Sequence, residues 1–374
     1  MRDATKRMLD LFATDRRTFN RALAGLGLGM ATLPLAGRAA QAAAPVAYMT
    51  WAGYELPEFH QAFIAKYGTS PDVTFYAEEE EALTKLRAGF LPDVAHPCMS
   101  NIAKWRDAGV VEPIDTGRLR NWPDMIEALT AIPGAQAEGR QWIVPIDWGP
   151  NGVAMRTDLV DPKYIEDPSW MILWDERYAG RLSMWDSVDG AVAVAAVVLG
   201  IKDTNAVGDE DFARIEDLIR RQYKLARFFW GSETDAETAM ASGEVVASYL
   251  WGGVTNRLIA AGVPIMYAPG PKEGVASFAC GLVLVKGGKG DEQAKYDFID
   301  AWTDPESGKY LIEAYGYGHS NAKAYDMVSE EVLTSQGLTR DINAFLAKSS
   351  FMQSWSPEVR DRYVKMFEDI KAGQ

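Results

Sequence analysis

The chain has 374 residues, with 52 acidic against 38 basic side chains and a formal charge of −14. That balance argues against nucleic acid and anionic membrane surfaces as partners. The length exceeds what one comfortable core holds, so two lobes of ordinary size are expected.

Residues 1–44 read as a segment outside the fold. Arg16-Arg17 is followed by a weakly apolar run, Ala22 to Ala36, and then by the small residues Ala39 to Ala44. A charged start, a short apolar region and small residues at the end make an export signal, and the arginine pair points to the twin-arginine route. The run is shorter than the roughly 20 residues needed to cross a bilayer, so no membrane insertion is expected. The first 44 residues carry seven basic and three acidic side chains, which leaves the remainder near −18. That charge suits a cationic ligand, and solubility explains it equally well.

Val46 to Tyr54 begins as a strand with alternating Val46, Tyr48 and Thr50, and ends in Trp51-Ala52-Gly53-Tyr54. A helix from Pro57 to Tyr67 follows, with proline in its first turn. A strand, a short loop with two aromatics and then a helix opens an α/β sheet, where ligands bind outside the carboxyl ends of strands. Trp51 and Tyr54 are then either cleft residues or ordinary core and rim aromatics. A second strand is expected over 72–76 and a helix over 78–88. The acidic run Glu78 to Glu81 suits that helix's positive end, and a ligand contact by one of the four stays open. A short strand at 93–96, a helix at 99–108 and a strand at 110–114 complete a run of parallel βαβ units.

Residues 141–156 read as a strand pair broken at Trp148-Gly149-Pro150. Asp147 sits inside this apolar stretch, where an unpaired buried carboxylate would be costly. A structural hydrogen-bond role and a ligand role both remain open for it. The strand at 182–185 ends in Asp186-Ser187-Val188-Asp189-Gly190 before an apolar helix at 191–199. This again puts polar residues where ligands dock. Strands follow at 228–230, 244–251, 265–268 and 277–285. Helices are expected at 209–224, 236–242, 256–261, 292–303, 306–314 and 357–372. Cys98 and Cys280 are the only cysteines; an oxidising compartment permits their disulfide, and spacing does not decide it.

The order of these features resembles a known family. Trp51 and Tyr54 follow the first strand. Pro145, Trp148, Gly149, Gly152 and Val153 form one motif and Trp174 to Leu182 another. Gly243-Glu244-Val245 precedes Trp251, and Pro271 to Gly274 and Gly316-Tyr317 to Asn321 follow. The chain is similar to the periplasmic spermidine/putrescine-binding proteins that feed ABC transporters, over nearly the whole region after residue 44. The resemblance implies a type II periplasmic-binding-protein fold, two α/β lobes joined by crossover strands around a ligand cleft. It implies lobe 1 over 45–146 plus 280–325 and lobe 2 over 147–279 plus 326–374.

The resemblance further implies ligand contacts by Trp51, Tyr54, Trp251, Phe278, Tyr317 and Gln353, with Cys98 where the family often has a contacting serine. Cys280 stands at the position of a key aspartate. Ser187 and Gly190 replace an aspartate and a glutamate. Asp147, Trp148, Asp186 and Asp189 lie nearby, off the family positions. The expected ligand is therefore a small cationic amine, with a betaine or another polar solute as the alternative. The expected partner is a membrane permease, and the expected state is a monomeric periplasmic protein without cofactor. Both cysteines map to the cleft, which suggests that they approach each other, with His96 and His319 as added soft-metal candidates. An enzyme built on carboxylates and a sensor-docking protein are the rival classes. Turnover would mark the first and the absence of permease genes nearby the second.

Overall fold

The computed structural model describes residues 45–373 apart from 348; the expected export signal lies outside them. Fourteen strands are described: β1 Ala47–Thr50, β2 Asp72–Phe75, β3 Val94–Ala95, β4 Val111–Glu112, β5 Gln136–Ala137, β6 Arg140–Gln141, β7 Val144–Arg156, β8 Leu182–Trp185, β9 Ala226–Trp230, β10 Ala247–Leu250, β11 Ile265–Ala268, β12 Val275–Val285, β13 Gly318–His319 and β14 Ser349–Phe351. Apart from the β5–β6 hairpin they form one curled sheet in the order β2-β1-β3-β12-β7-β10-β8-β9. At one end β2, β1 and β3 are parallel. At the other, β10, β8 and β9 are parallel. Between them run the antiparallel partners β12 and β7.

The helices fill the connections that the parallel strands demand. Those used below are α1 Gln61–Tyr67, α2 Glu79–Arg87, α3 Ile102–Asp107, α4 Val188–Leu199, α5 Asp209–Leu225, α6 Gly252–Ala260, α7 Glu292–Trp302 and α8 Pro357–Lys371. Their ends follow local chemistry. Helix α1 stops at Gly68, whose φ of 74° is the left-handed cap that glycine adopts without penalty. Helix α4 starts at Ser187, whose Oγ accepts the Gly190 N–H at 3.3 Å. Helix α8 has Ser356 as cap and Pro357 in its first turn, the arrangement that fixes a helix start.

Both faces of the sheet are covered, as a doubly wound sheet requires. In β1 the alternation is direct. Tyr48 packs with Phe59, Phe298 and Trp302 on one face, and Met49 packs with Leu83, Trp105 and Leu129 on the other. A third cluster, built on Trp170, Leu182, Val192, Ile215 and Tyr249, surrounds the β8–β10 end. Each large side chain so buried contributes roughly 2 kcal/mol or more. Strand β7 joins the three: Ile146 belongs to the first, Trp148 to the second and Met155 to the third. The result is two lobes with β7 and β12 crossing between them.

The expected break at Trp148-Gly149-Pro150 does not occur: β7 runs unbroken for 13 residues, all buried. Pro150 lies opposite Ser277 on β12, and its carbonyl accepts the Tyr267 hydroxyl at 2.8 Å. A register irregularity falls instead on β12, between Cys280 and Gly281. There a Cβ on residue 281 would lie 2.3 Å from the Val144 carbonyl oxygen, so only glycine lets the two crossing backbones approach. Three expected helices start at least three residues earlier than read: Ser187 opens α4 three residues sooner, α6 begins at Gly252, and the helix read over 236–242 begins at Glu233. The segments after residue 325 divide. Val328, Leu333, Leu338, Ile342 and Leu346 pack with Met49 and Trp105, whereas Trp355, Tyr363, Phe367 and Ile370 pack around Ile215.

Candidate ligand-binding cleft

The carboxyl ends of both parallel strand sets converge on the crossing strands. From the first lobe, the ends of β1, β2 and β3 deliver Trp51, Tyr54, Glu79 and Cys98. From the second, the ends of β8, β9 and β10 deliver Trp185, Asp189, Trp230 and Trp251. Strands β7 and β12 supply Asp147, Asn151, Phe278 and Cys280, and the loop before β13 supplies Tyr317.

The aromatic residues are held by specific contacts. The Trp51 indole donates to the His96 carbonyl at 3.0 Å, and its ring lies 4.4 Å from that of Tyr76. Trp251 donates to Asn151 Oδ1 at 2.9 Å. It meets Trp185 and Trp230 edge-on at 5.3 and 5.1 Å. Phe278 and Tyr317 meet edge-on at 5.1 Å. Burial raises the Tyr317 phenol well above its ordinary range, so it stays a neutral hydrogen-bond donor.

Several sequence-predicted residues turn out to be occupied elsewhere. Asp147 is 2% exposed. Its Oδ1 faces His96 Nε2 at 2.9 Å, and its Oδ2 accepts the Tyr54 hydroxyl at 2.9 Å. On the other side of the ring, His96 Nδ1 lies 3.1 Å from Thr50 Oγ1 and 3.3 Å from the Tyr48 hydroxyl. Asp147 therefore has a partner on each oxygen, which offsets the cost of burying its carboxylate. Burial, reinforced by Asp147, raises the Tyr54 phenol well above its ordinary range. Trp148 is 1% exposed, donates to the His319 carbonyl at 3.2 Å and packs against Phe345. Gly318 covers it so closely that a Cβ would sit 2.3 Å from the indole. It is a core residue.

Ser187 is the α4 cap. Asp186 is exposed and holds Lys371 Nζ at 2.8 and 2.9 Å. Gln353 Oε1 accepts from the Thr204 N–H and hydroxyl, both at 2.8 Å. Its Nε2 donates to the Lys202 carbonyl at 3.3 Å, so it fastens the chain after β14 to the loop after α4. Cys98 and Cys280 form a disulfide. His319 Nε2 faces the Trp302 carbonyl at 3.0 Å, and burial lowers its imidazole to about 4. The soft-metal alternative thus loses its ligands, and among the described residues no group of three metal-ligating side chains occurs.

Two features escaped the sequence reading. Trp185 and Trp230 join Trp251 only because three parallel strands end together. Among the four glutamates, Glu79 is singled out: its Oε1 accepts the Cys98 N–H at 2.7 Å. Burial, opposed by that bond and reinforced by Asp189, pushes its carboxyl up to about 8. Burial also raises Asp189.

Two α/β lobes joined by crossing strands, with aromatic residues at the strand ends of each, define a two-lobed solute-binding protein. The chain belongs to the bacterial extracellular solute-binding protein family, whose model matches residues 60–339. It is 25% identical over 332 residues to the spermidine/putrescine-binding periplasmic protein of Salmonella typhimurium, covering 87% of this chain and 91% of that one. It is 27% identical over 300 residues to a putrescine/agmatine-binding protein of Pseudomonas aeruginosa, covering 75% and 80%. The fold is similar to the spermidine/putrescine ABC transporter substrate-binding protein of Streptococcus pneumoniae, with a TM-score of 0.74 at 18% identity over 87% of this chain and 98% of that one. The family is periplasmic or extracellular. Among the described residues no helix is long and apolar enough to cross a membrane.

Proposed function

We propose that this protein is the solute-binding component of an ABC importer, which takes a small organic cation of the polyamine class into the cleft and passes it to a membrane permease. The observation that carries this reading is the set of aromatic residues at the strand ends, Trp51 from one lobe and Trp251, Phe278 and Tyr317 from the crossing and opposite elements. Aromatic faces attract ammonium groups by roughly 0.5–2 kcal/mol each. The names of the relatives point the same way. The protein acts in the periplasm as a monomer after export by the twin-arginine route. The lobes divide near Asp147 and Cys280, and the packing of residues 328–346 with Trp105 favours a last passage to the second lobe after residue 346. Ligand stabilises the closed arrangement by its greater affinity for it.

A second reading is a different amine or zwitterion in the same cleft. It is favoured by the family's acid positions, where this chain has a disulfide half at Cys280, a helix cap at Ser187 and glycine at 190. The test is a thermal-shift screen with putrescine, spermidine, agmatine, choline, betaine and amino acids. A ligand at about 100 times its Kd adds roughly 2.7 kcal/mol to stability. A shift with putrescine or spermidine supports the polyamine reading. A shift with other solutes alone moves the protein to the second, and turnover of any of them refutes both.

A further inference from the structure

We propose that Glu79 and Asp189, one from each lobe, form the carboxylate seat of the cleft, and that it selects an ammonium or guanidinium carrying N–H groups over a quaternary cation. The inference rests on the binding function proposed above and assigns residues and a head-group chemistry to it.

The seat follows by position. Cys280 is bonded to Cys98. Ser187 caps α4. No side chain fits at residue 190, where a Cβ would meet the Trp185 ring at 2.8 Å. Asp147 has both oxygens engaged, and Asp186 faces Lys371. The acids that remain toward the cleft are those at the first turns of α2 and α4, which approach each other from opposite lobes. Arg360 marks the approach: its Nη2 is 3.1 Å from Glu80 Oε1 and its Nη1 3.8 Å from Asp189 Oδ1.

Both carboxylates are left incomplete. Glu79 Oε2 and Asp189 Oδ1 are buried without a hydrogen-bond partner, and the Arg360 contact to Asp189 is too long to be one. Buried polar atoms without partners are costly: Asp189 Oδ1 calls for an N–H group, and Glu79 Oε2 calls for one once its carboxyl has given up its proton. A quaternary cation has none to give. On the wall beside Trp251, Asn151 is wholly buried, gives its Oδ1 to that indole and leaves Nδ2 without an acceptor. The second-lobe wall therefore also waits for a polar partner. Burial disfavours the charged form of Glu79, and repulsion by Asp189, Glu80 and Glu78 adds to this. Around Asp189 stand Glu80, Arg360 and Lys104. A cation seated there expels the Glu79 proton to solvent.

The experiment is calorimetric titration of putrescine, agmatine and choline into the wild type, Glu79→Gln and Asp189→Asn near neutral pH, in two buffers of different ionisation enthalpy. The amide variants keep side-chain shape, and their unliganded melting curves serve as the fold control. Expected are preference of the wild type for putrescine or agmatine over choline, at least tenfold weaker binding by each variant, and proton release that disappears in Glu79→Gln. Unchanged affinity of both variants for a probe that the wild type binds overturns the seat and leaves the binding function standing. Preference for choline overturns the N–H selection. A wild type that binds none of the probes refutes the cationic-ligand reading itself, along with the seat.

Discussion

Removing the Cys98–Cys280 disulfide should cost stability without dismantling the cleft. The two cysteines are joined across a sequence separation of 182, and the enclosed loop holds the whole second-lobe sheet. By the loop-closure relation this removes about 5 kcal/mol of denatured-chain entropy at room temperature. In the folded state the pair is adjacent with or without the bond. Residues 98 and 280 face each other as an antiparallel bridge, and the Gly281 N–H donates to the Pro97 carbonyl at 3.0 Å. The loss on reduction should therefore come chiefly from the denatured state, at about 2–5 kcal/mol. The assay is guanidinium unfolding of oxidised protein, reduced protein and the Cys98→Ser/Cys280→Ser variant, with thiols counted in each sample. The midpoint should fall in both disulfide-free states. The slope should rise, because an uncrosslinked chain exposes more surface on unfolding. An unchanged midpoint, with two free thiols counted after reduction, would refute this reasoning and place the cost of the bond in the native state.

Four further outcomes follow from the site and its supports. Glu79 is raised above the ordinary carboxylate range, so the folded state holds its proton more tightly; that contribution is complete at acid pH and is lost as pH rises through about 8. Melting of unliganded protein between about pH 5 and 9 should thus decline more steeply in the wild type than in Glu79→Gln. Gly318→Ala should destabilise by about 1–3 kcal/mol through its clash with Trp148, read as a lower denaturation midpoint. Trp251→Ala should weaken cation binding more than tenfold and cost about 2 kcal/mol of stability, since Trp185, Trp230 and Asn151 lose a partner, whereas Trp251→Phe should retain most of the stability in the same melt. Cys98→Ser/Cys280→Asp, which restores the family's serine and aspartate, should tighten putrescine binding by tenfold or more for one new charge-assisted hydrogen bond, measured by titration.

What was legible in the sequence was periodic or punctuated. The strand at 265–268 has its expected bounds, an apolar run between Pro264 and Pro269. Helix α1 ends at Tyr67 as expected, with Gly68 as its cap. Strand β7 was misjudged because Gly149-Pro150 is a turn signal in local terms, while its extended course is set by partners on both sides, β12 and β10. The family pattern picked out Trp51, Trp251, Phe278 and Tyr317, which lie at strand ends, on a crossing strand and in the loop before β13. Asp147 could not be assigned a role, because its two partners come from Tyr54 and His96, far away in the chain. Glu79 could not be separated from Glu78, Glu80 and Glu81, since only the Cys98 N–H and the approach of α4 distinguish it. Gln353 kept the family's residue type but is engaged by Thr204, a contact that no local pattern announces.

The place of β12 between β3 and β7 also orders the life of the chain during synthesis. Strand β3 is only two residues long, and its second neighbour is late: Ala95 pairs with Val283, and the Val285 N–H reaches back to the Asp93 carbonyl at 3.0 Å. A ribosome thus extrudes β1, β2 and β3 long before the strand that covers their open edge exists. Throughout that interval the nascent sheet carries an unpaired, apolar edge of the kind that seeds aggregation. The β8–β10 sheet, by contrast, has its β7 edge already made when β10 emerges. The more C-terminal sheet can therefore close first and the N-terminal one last, so a fragment ending at residue 146 should emerge as an adhesive half-sheet, and one carried through residue 285 should be the earliest to bury that edge.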